Sequence, residues 1–299
     1  MPRIASGTFK KIVWVALLAF LFGAPVWADT SPGTSFDWRD ATVDGVTGDY
    51  VPAVQDQGAA GTCWAFAAVG ALEAKFAIYD HDPGMNLDLS AQNLVCAGNS
   101  NGMGNTSGGY ADQALYYFVT HGVTTAATLP YTGQNTSPLW PLKPPYDLYG
   151  VTSVATNLSA DSYWVERDLE KYGPLVALVN AENDLIWTQP TPTSTLTEQG
   201  GFALDHAVDI VGFQDDPNAA GGGYYIVENS WGTGVGTDGF FYITYATIET
   251  DGAVMGITGT PWVVDPPASV PEPVSVVFFG TGLVGVVGYV ARRRMLRNA

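Results

Sequence analysis

The segment from residue 64 to residue 78 is apolar on nearly every side, and it constrains the fold more than any other part of the chain. It is too long for one strand, and a helix with apolar residues all around it is stable only when the protein surrounds it. Thr62 stands where its side chain can cap the helix N-terminus. The pattern therefore predicts a globular domain built around a central buried helix.

The remaining patterns divide the chain into a helical half and a β half. Shorter helices are predicted at residues 90–95, 111–121 and 161–172, with Gly122 and Gly173 at the ends of the last two. Strands rich in β-branched and aromatic residues are predicted at residues 175–179, 207–213, 224–228 and 240–245. Residues 188–201, rich in threonine and proline, are predicted to form an exposed loop. This order favours two lobes with a groove between them, where binding sites usually form.

Charge excludes one class of partner. Residues 29–270 hold five basic and 28 acidic residues, a net charge of −23, because the other basic residues lie near the two ends. Nucleic-acid affinity depends on basic side chains that displace counterions from phosphates, so nucleic acid is excluded as a partner. The chain has no metal-binding motif, and the glycine pattern at residues 280–285 lacks the context of a dinucleotide site. Neither a metal nor a cofactor is expected.

Residues 1–28 have the three parts of an export signal. Arg3, Lys10 and Lys11 precede an apolar run at residues 12–22, and small residues around Ala28 suit cleavage by a signal peptidase. The run is too short to span a bilayer. We therefore expect a signal peptide at residues 1–28 and an exported domain at residues 29–264.

Residues 265–299 carry a second membrane-related pattern. Pro271, Glu272 and Pro273 precede an uncharged stretch at residues 274–291, which is followed by three arginines. As a helix, this stretch is about 27 Å long, enough to cross a bilayer core. The whole segment resembles the PEP-CTERM sorting signal of exopolysaccharide-producing Gram-negative bacteria, which an exosortase recognises. The resemblance implies export across the inner membrane, transient anchoring by residues 274–291, and release to the cell surface or beyond; a plain tail anchor is the alternative.

Residues 57–66 hold the first candidate for chemistry. They place Cys63 at the first turn of the predicted buried helix, where free backbone N–H groups and the positive end of the helix dipole favour a thiolate. A thiolate is the nucleophilic form of cysteine. This segment alone leaves a structural cysteine as the alternative, since a lone thiol is usually buried and unreactive.

A thiolate needs a proton acceptor, and His206 is the best candidate among three histidines. His81 and His121 follow helices in polar turns and are predicted to be inert surface residues. His206 enters a predicted strand 143 residues after Cys63, and Asn229 follows in an Asn-Ser-Trp-Gly motif. An asparagine oxygen that accepts the imidazole N–H fixes the ring tautomer, and the neighbouring Trp231 can shield that bond from water.

Seven motifs in this order resemble the papain-type cysteine peptidases. They lie at residues 37–39, 57–66, 89–95, 107–110, 129–133, 205–208 and 229–232, and together they cover residues 37 to about 262. The resemblance implies an α+β, papain-like fold of two lobes. A helical lobe at about 36–140 would precede a β-barrel-like antiparallel lobe at about 141–264, with the active site in the groove between them. It also implies a hydrolase, a monomeric thiol protease that acts on proteins or peptides.

The resemblance also implies a role for each matching residue. Cys63 would attack the scissile carbonyl to give a thioester, and His206 would act as acid and base. Asn229 would orient His206, and Gln57 would bind the oxyanion together with the Cys63 N–H. The substrate would contact the glycine turn, an apolar pocket and the surroundings of His206, through Gly108, Gly109, Tyr110, Ala111, Leu178, Leu204, Asp205 and Trp231.

The chain departs from the family pattern at its disulfides and at its front. Ala60 and Thr106 replace one cysteine pair, Gly200 and Met255 replace a second, and Cys96 has no thiol to join except Cys63. Seven residues, 29–35, separate the predicted signal cleavage from the first motif, which is too few for a folded inhibitory pro-segment. We therefore expect an enzyme made without a pro-segment of that type.

Two other functions remain open at this point. One is a peptide-binding or adhesive surface module that kept the groove and lost turnover. The other is transpeptidation or exopeptidase activity on the same acyl-enzyme, because the sequence specifies the intermediate but not its acceptor.

Overall fold

The computed structural model describes residues 32–181 and 203–264, all within one unit. Five helices are present in this part of the chain: α1 (Cys63–Asp80), α2 (Ala91–Asn101), α3 (Ala111–Thr120), α4 (Ser162–Tyr172) and α5 (Tyr245–Asp251). The central helix is confirmed, and 13 of its 18 residues are buried. It runs longer than predicted, because its last turn includes the half-exposed Tyr79 and Asp80 that the apolar pattern does not mark.

The main sheet has seven strands, and they come from both ends of the described chain. They are β1 (Ser35–Asp37), β7 (Ala155–Leu158), β8 (Leu175–Val179), β9 (His206–Asp215), β10 (Gly223–Glu228), β11 (Phe240–Thr244) and β12 (Ala253–Gly256). Their order is β11-β10-β9-β8-β12-β7, and β1 adds to β9. Every pairing is antiparallel, as expected for the β lobe.

Three small two-stranded sheets complete the described strands. β2 (Ala41–Val43) pairs with β3 (Val46–Gly48), β4 (Gly104–Asn105) with β5 (Gly108–Gly109), and β6 (Leu148–Val151) with β13 (Pro261–Val264). The β4–β5 hairpin is the one that matters for the site, because it ends directly before α3.

The described residues form two apolar cores. One contains most of α1 together with α2 and α3, including Trp64, Leu94 and Phe118. The other contains the inner face of the main sheet, including Trp38 and Phe213. The mixed α+β fold with a helical and an antiparallel part is therefore confirmed.

The chain does not divide between the two cores in simple sequence order. Ser35–Asp37 pairs with β9, and Trp38 and Tyr50 pack in the core of the sheet, although they precede the helical part. Val151 joins the helical core, although it follows that part. β1 joins the sheet by pairing with residues at least 175 positions later in the chain, and a local sequence pattern does not predict such a pairing.

Several predictions fall outside the described residues. They are the signal peptide at residues 1–28, the loop at residues 188–201, and the sorting signal and membrane stretch at residues 265–299. Within residues 32–181 and 203–264, no helix combines the length and apolar character that a membrane crossing requires.

Candidate active site

Cys63 is the first residue of α1, and it is 9% exposed. Thr62 precedes the helix, but its side chain makes no capping hydrogen bond. Its hydroxyl instead lies 2.7 Å from the Tyr131 hydroxyl. The prediction that Thr62 caps α1 is therefore wrong, because a contact with a residue distant in sequence takes the hydroxyl that would have capped the helix.

A cleft of about 620 Å³ brings Cys63 and His206 together. One wall comes from the start of α1, the β4–β5 hairpin and the start of α3, and the other comes from β8 and the start of β9. Nine of the residues predicted for the site line it: Cys63, Gly108, Gly109, Tyr110, Ala111, Leu178, Leu204, Asp205 and His206. Gln57, Asn229 and Trp231 are not among its lining residues, but Asn229 and Trp231 contact His206, which lines it.

The imidazole of His206 is held from one side and covered from another. Its Nε2 lies 2.9 Å from Asn229 Oδ1, and both residues are buried. Because an amide oxygen can only accept, Nε2 donates this bond and carries the hydrogen. The indole of Trp231 covers the ring at a centroid distance of 4.8 Å. This arrangement favours the tautomer with its hydrogen on Nε2, and it leaves Nδ1 as the nitrogen that can exchange a proton.

Gln57 is oriented by Ser230, a residue for which sequence analysis predicted no role. The Ser230 hydroxyl donates to Gln57 Oε1 at 2.6 Å, and the Ser230 carbonyl accepts from the Gln57 N–H at 2.8 Å. Gln57 Nε2 therefore faces away from Ser230, and it donates to the Ala60 carbonyl at 2.8 Å. An amide NH₂ carries two hydrogens, so one remains for a second acceptor. The signal was available in the sequence, since Ser230 lies between Asn229 and Trp231.

Tyr131 is a second residue that the sequence analysis missed. Its hydroxyl donates to the Gln57 carbonyl at 2.9 Å and contacts Thr62 Oγ1 at 2.7 Å. The Tyr131 hydroxyl thus connects Thr62, directly before α1, with Gln57. Tyr131 belongs to the motif at residues 129–133, but no local pattern shows that its hydroxyl reaches these two segments.

The glycine turn has a steric explanation. Gly108 has φ +139°, which side chains rarely permit. A Cβ on Gly109 would lie 2.6 Å from Cδ2 of Trp64, because the indole packs flat against this backbone. The Trp64 Nε1–H donates to the Asn105 carbonyl at 3.2 Å and holds the hairpin in place. The backbone of Gly109 is therefore exposed along one wall of the cleft.

Burial controls the charge of the two reactive groups. Burial raises the pKa of the Cys63 thiol, and this effect outweighs the backbone N–H groups of Ala207 and Trp64, which lower it. The helix N-terminus therefore acts in the expected direction but does not by itself produce a thiolate. Burial also lowers the pKa of His206, against the opposing effects of Asn229 and Asp205. A single charge on either group is costly, whereas transfer of the thiol proton to the imidazole leaves the pair neutral overall.

Comparison with known proteins agrees with this geometry. Residues 32–258 match the sequence profile described as the papain family of cysteine proteases. The match covers about three quarters of the chain. The chain belongs to the papain family.

Individual papain-family proteins show the same relationship. The chain is 32% identical over 212 residues to a cathepsin L-like protein of Caenorhabditis elegans, with 69% of this chain and 58% of the relative covered. It is 30% identical over 231 residues to cathepsin K of Gallus gallus, with 76% and 63% covered. The chain thus spans about three fifths of the length of these two curated relatives.

A solved papain-family structure has the same fold. The cysteine protease of Carica candamarcensis, determined in complex with E-64, superposes with a TM-score of 0.59. The two chains are 25% identical, and the match covers 76% of this chain and 99% of the other. The papain-like fold predicted from the seven motifs is therefore confirmed.

Other predicted residues lie away from the cleft. His81 ends α1 with φ +53°, and His121 stacks on Tyr117 at a centroid distance of 4.5 Å. Cys96 is buried in α2, and its sulfur accepts from Gln92 Nε2 at 3.2 Å. Cys63 and Cys96 are both free thiols.

A backbone contact joins the segments where this papain-family chain has Ala60 and Thr106 instead of a cysteine pair. The Gly61 N–H donates to the Thr106 carbonyl at 2.7 Å. A Cβ on Gly61 would lie 3.1 Å from the Ser107 carbonyl carbon, so the two segments are already close-packed. The hairpin is thus attached to the residues before Cys63 without a covalent bond.

Proposed function

We propose that this papain-family protein is a cysteine endopeptidase that hydrolyses peptide bonds through a thioester on Cys63. The observation that carries the proposal is the common cleft of Cys63 and His206, in which Asn229 holds His206 Nε2. Gln57, Cys63, His206 and Asn229 are all present, and their neighbours orient them. No resident cofactor has a role in this chemistry.

Bond cleavage begins with proton transfer from Cys63 Sγ to His206 Nδ1. The sulfur attacks the scissile carbonyl carbon, and the carbonyl oxygen becomes an oxyanion. The Cys63 N–H and the second hydrogen of Gln57 Nε2 bind this oxyanion, and each such donor contributes about 10²- to 10³-fold in rate. The imidazolium then gives its proton to the departing amine, and a thioester remains on Cys63.

Hydrolysis of the thioester uses the same groups in reverse. His206 Nδ1 removes a proton from water, and the oxygen adds to the thioester carbonyl. The intermediate expels Cys63 Sγ, which regains the proton from His206, and the carboxylic acid product leaves. Protons and electrons balance over the cycle, so the protein returns to its starting state.

Substrate would lie along the Gly109 backbone as an added strand. Tyr110 and Ala111 on the Gly109 side of the cleft, and Leu178 and Leu204 on the opposite side, give uncharged surfaces for a side chain. We propose that the protein prefers an apolar residue two positions before the cut bond. Proteins and peptides are the proposed substrates, and the protein acts as a monomer.

The two ends support a proposed cellular route. Residues 1–28 would be removed by signal peptidase, and residues 265–299 would be read by an exosortase of a Gram-negative bacterium. The peptidase domain at residues 29–264 would act at the cell surface or outside the cell. A full-length chain expressed in an exosortase-containing host should lose its C-terminal segment, and it should keep that segment in a host that lacks the exosortase gene.

Labelling with E-64, the molecule bound by the Carica protease, tests the proposed site. A peptidyl epoxide alkylates a reactive thiol, so mass spectrometry of the digested protein should find the adduct on Cys63. Cys96→Ala should be labelled as the wild type is, and Cys63→Ser should not be labelled. An adduct on Cys96, or none at all, contradicts the proposal.

Product analysis separates the proposed hydrolysis from its alternatives. A fluorogenic peptide with an apolar residue at the second position should be cut internally, giving a free carboxylic acid. An acyl-amine product in the presence of added amines indicates transpeptidation, and release of single terminal residues indicates an exopeptidase. Labelling of Cys63 without any product indicates a binding module.

A further inference from the structure

Three acidic side chains line a small buried cavity beside the active site. Glu73 is 3% exposed, Asp209 is 4% exposed and Glu228 is 9% exposed. We call these three residues the carboxyl cluster. The cavity has room for about 20 Å³, which is about one water molecule. Asn229 and Ser230 also line it, so the cavity shares a wall with the active site.

The carboxyl cluster is assembled by strand pairing and by α1. Asp209 and Glu228 are directly opposite each other on β9 and β10. Side chains at such positions are near neighbours, and two negative charges there repel. Gly70 brings α1 against this pair, because a Cβ on Gly70 would lie 2.7 Å from Asp209 Oδ2. Glu73 lies one turn further along α1 and faces the same cavity.

Few polar contacts compensate these carboxyls. Glu73 Oε1 accepts from the Leu89 N–H at 2.6 Å. Asp209 Oδ1 and Glu228 Oε2 are buried without a hydrogen-bond partner. A buried carboxylate that lacks both a partner and a countercharge is strongly destabilising, whereas a protonated carboxyl costs much less.

Among the described residues, no positively charged side chain is available to neutralise ionised carboxyls in this cavity. The cavity lining contains no lysine, arginine or histidine in this part of the chain. Arg39, the cation that acts on Glu228, is committed to Asp37 through three side-chain hydrogen bonds of 2.9, 3.1 and 2.6 Å. Within residues 32–181 and 203–264, no group of acidic, thiol or imidazole side chains is arranged to hold a metal ion.

Burial and the nearby charges together raise the pKa values of all three carboxyls. Burial and the nearby Asp49 raise the pKa of Glu228 to about 8, although Arg39 opposes this. Burial and the other two carboxyls raise the pKa of Asp209 well above its ordinary value. Burial raises the pKa of Glu73 well above its ordinary value, and Asp88 and Glu228 add to this effect.

We propose that the carboxyl cluster is a proton-binding site that holds the active site in place, so that its ionisation at alkaline pH unfolds and inactivates the protein. Each of its elements also carries an active-site residue. Cys63 and Glu73 are on α1, His206 and Asp209 are on β9, and Glu228 ends β10 directly before Asn229. Repulsion within the cluster separates β9 and β10 from each other and from α1, and it displaces those residues.

The direction of the pH effect follows from proton binding. The folded protein binds these protons more tightly than the unfolded chain, in which a glutamic acid has its ordinary pKa near 4.5. The contribution to stability is complete below that pH, and it is lost as the pH rises through the folded pKa. For Glu228, the folding equilibrium constant should fall about tenfold per pH unit between about pH 5 and pH 8.

Urea denaturation of the full chain at several pH values tests the proposal. Glu228→Gln and Asp209→Asn keep the side-chain shape and remove the ionisation. In each variant the folding equilibrium constant should fall less steeply with pH than in the wild type, and the difference should be about a factor of ten per pH unit. Asp238→Asn is the matched control, because Asp238 is exposed and asparagine also adopts its positive φ. A wild-type pH dependence in both variants overturns the proposal.

Proton release provides a test that needs no stable variant. At pH 6 the unfolding wild-type chain should release the protons of the carboxyl cluster, which an indicator dye measures. Glu228→Gln should release about one proton fewer. Unfolding of the wild type without net proton release overturns the proposal, and so does calcium-dependent stabilisation at pH 8 that Glu228→Gln abolishes, because a cation would then hold the cluster.

The activity readout rests on the proposed function. The alkaline limit of peptide hydrolysis should move to higher pH in Glu228→Gln and stay unchanged in Asp238→Asn. An unchanged limit in Glu228→Gln contradicts the link to the active site. If no variant hydrolyses peptides, the proposed function fails, whereas the denaturation and proton-release results still decide the proton site.

Discussion

Two polar clusters lie on α1, β9 and β10 or on the residues beside these elements, and the two clusters differ in their hydrogen bonding. The cleft cluster consists of Gln57, Cys63, His206, Asn229 and Ser230, and the carboxyl cluster consists of Glu73, Asp209 and Glu228. In the cleft cluster, short hydrogen bonds connect His206 to Asn229 and Gln57 to Ser230, although the buried Asn229 Nδ2 has no partner. In the carboxyl cluster, two carboxyl oxygens have no partner.

This difference shows what each arrangement can do. Hydrogen bonds that fix a ring tautomer and an amide orientation prepare groups for a reaction without a cost at the moment of reaction. Unpartnered buried carboxyls orient no reacting group directly, but they make the stability of the surrounding strands depend on proton concentration. The cleft cluster would thus supply the reacting groups, and the carboxyl cluster would set the pH range over which the protein stays folded.

The largest expected effect comes from the reactive thiol of the cleft cluster. Cys63→Ala should lower kcat for peptide hydrolysis by roughly 10⁴- to 10⁶-fold, because the proposed nucleophile is lost. Circular dichroism should show the wild-type fold. Cys96→Ala is the matched control, since it removes the other free thiol from a site outside the cleft, and it should keep wild-type kcat. Comparable losses in both variants would show that the cleft does not carry the chemistry.

Orientation within the cleft cluster should have the next largest effect. Gln57→Ala removes a proposed oxyanion donor and should lower kcat by about 10²- to 10³-fold with little change in KM. Ser230→Ala leaves the amide present but removes the bond that orients it, so its kcat should fall less, by about tenfold. Steady-state kinetics with one fluorogenic peptide measures both variants. A larger loss in Ser230→Ala than in Gln57→Ala would contradict these roles.

The sequence predicted the elements whose pattern is local. Leu175–Val179 has the predicted bounds, and the buried helix at residues 64–78 is part of α1. The cleft lining was also predictable, but through the family resemblance and not through periodicity. The carboxyl cluster was not predictable, because Glu73 is the single acid of the apolar run at residues 64–78 and meets Asp209 only through the tertiary fold. Tyr131 was missed for the same reason, since its two partners are 69 and 74 residues away.

A third prediction tests the wall of the cleft. Gly109→Ala would place a methyl group against the Trp64 indole, and relief of this overlap should cost about 1–3 kcal/mol of unfolding free energy. KM should rise because the backbone proposed to bind substrate moves with the hairpin. Urea denaturation and steady-state kinetics measure the two effects. Gly234→Ala is the control, because nothing lies within 4 Å of a Cβ at that position and its φ is not positive. Equal effects of the two variants would mean that contact with Trp64 does not shape the wall.

The smallest expected effect concerns the support of the cleft cluster by Tyr131. Tyr131→Phe removes the hydroxyl that contacts Thr62 Oγ1 and the Gln57 carbonyl, and it should cost about 1 kcal/mol of unfolding free energy. kcat should fall only slightly, because Ser230 still orients the Gln57 amide.

Tyr116→Phe is the matched control for this variant, since its side chain is 61% exposed and lies outside the active-site cleft. It should leave both the unfolding free energy and kcat unchanged. A fall in kcat for Tyr131→Phe as large as that for Ser230→Ala would place Tyr131 in the cleft cluster. The orientation of Gln57 would then depend on its backbone carbonyl as much as on its side-chain amide.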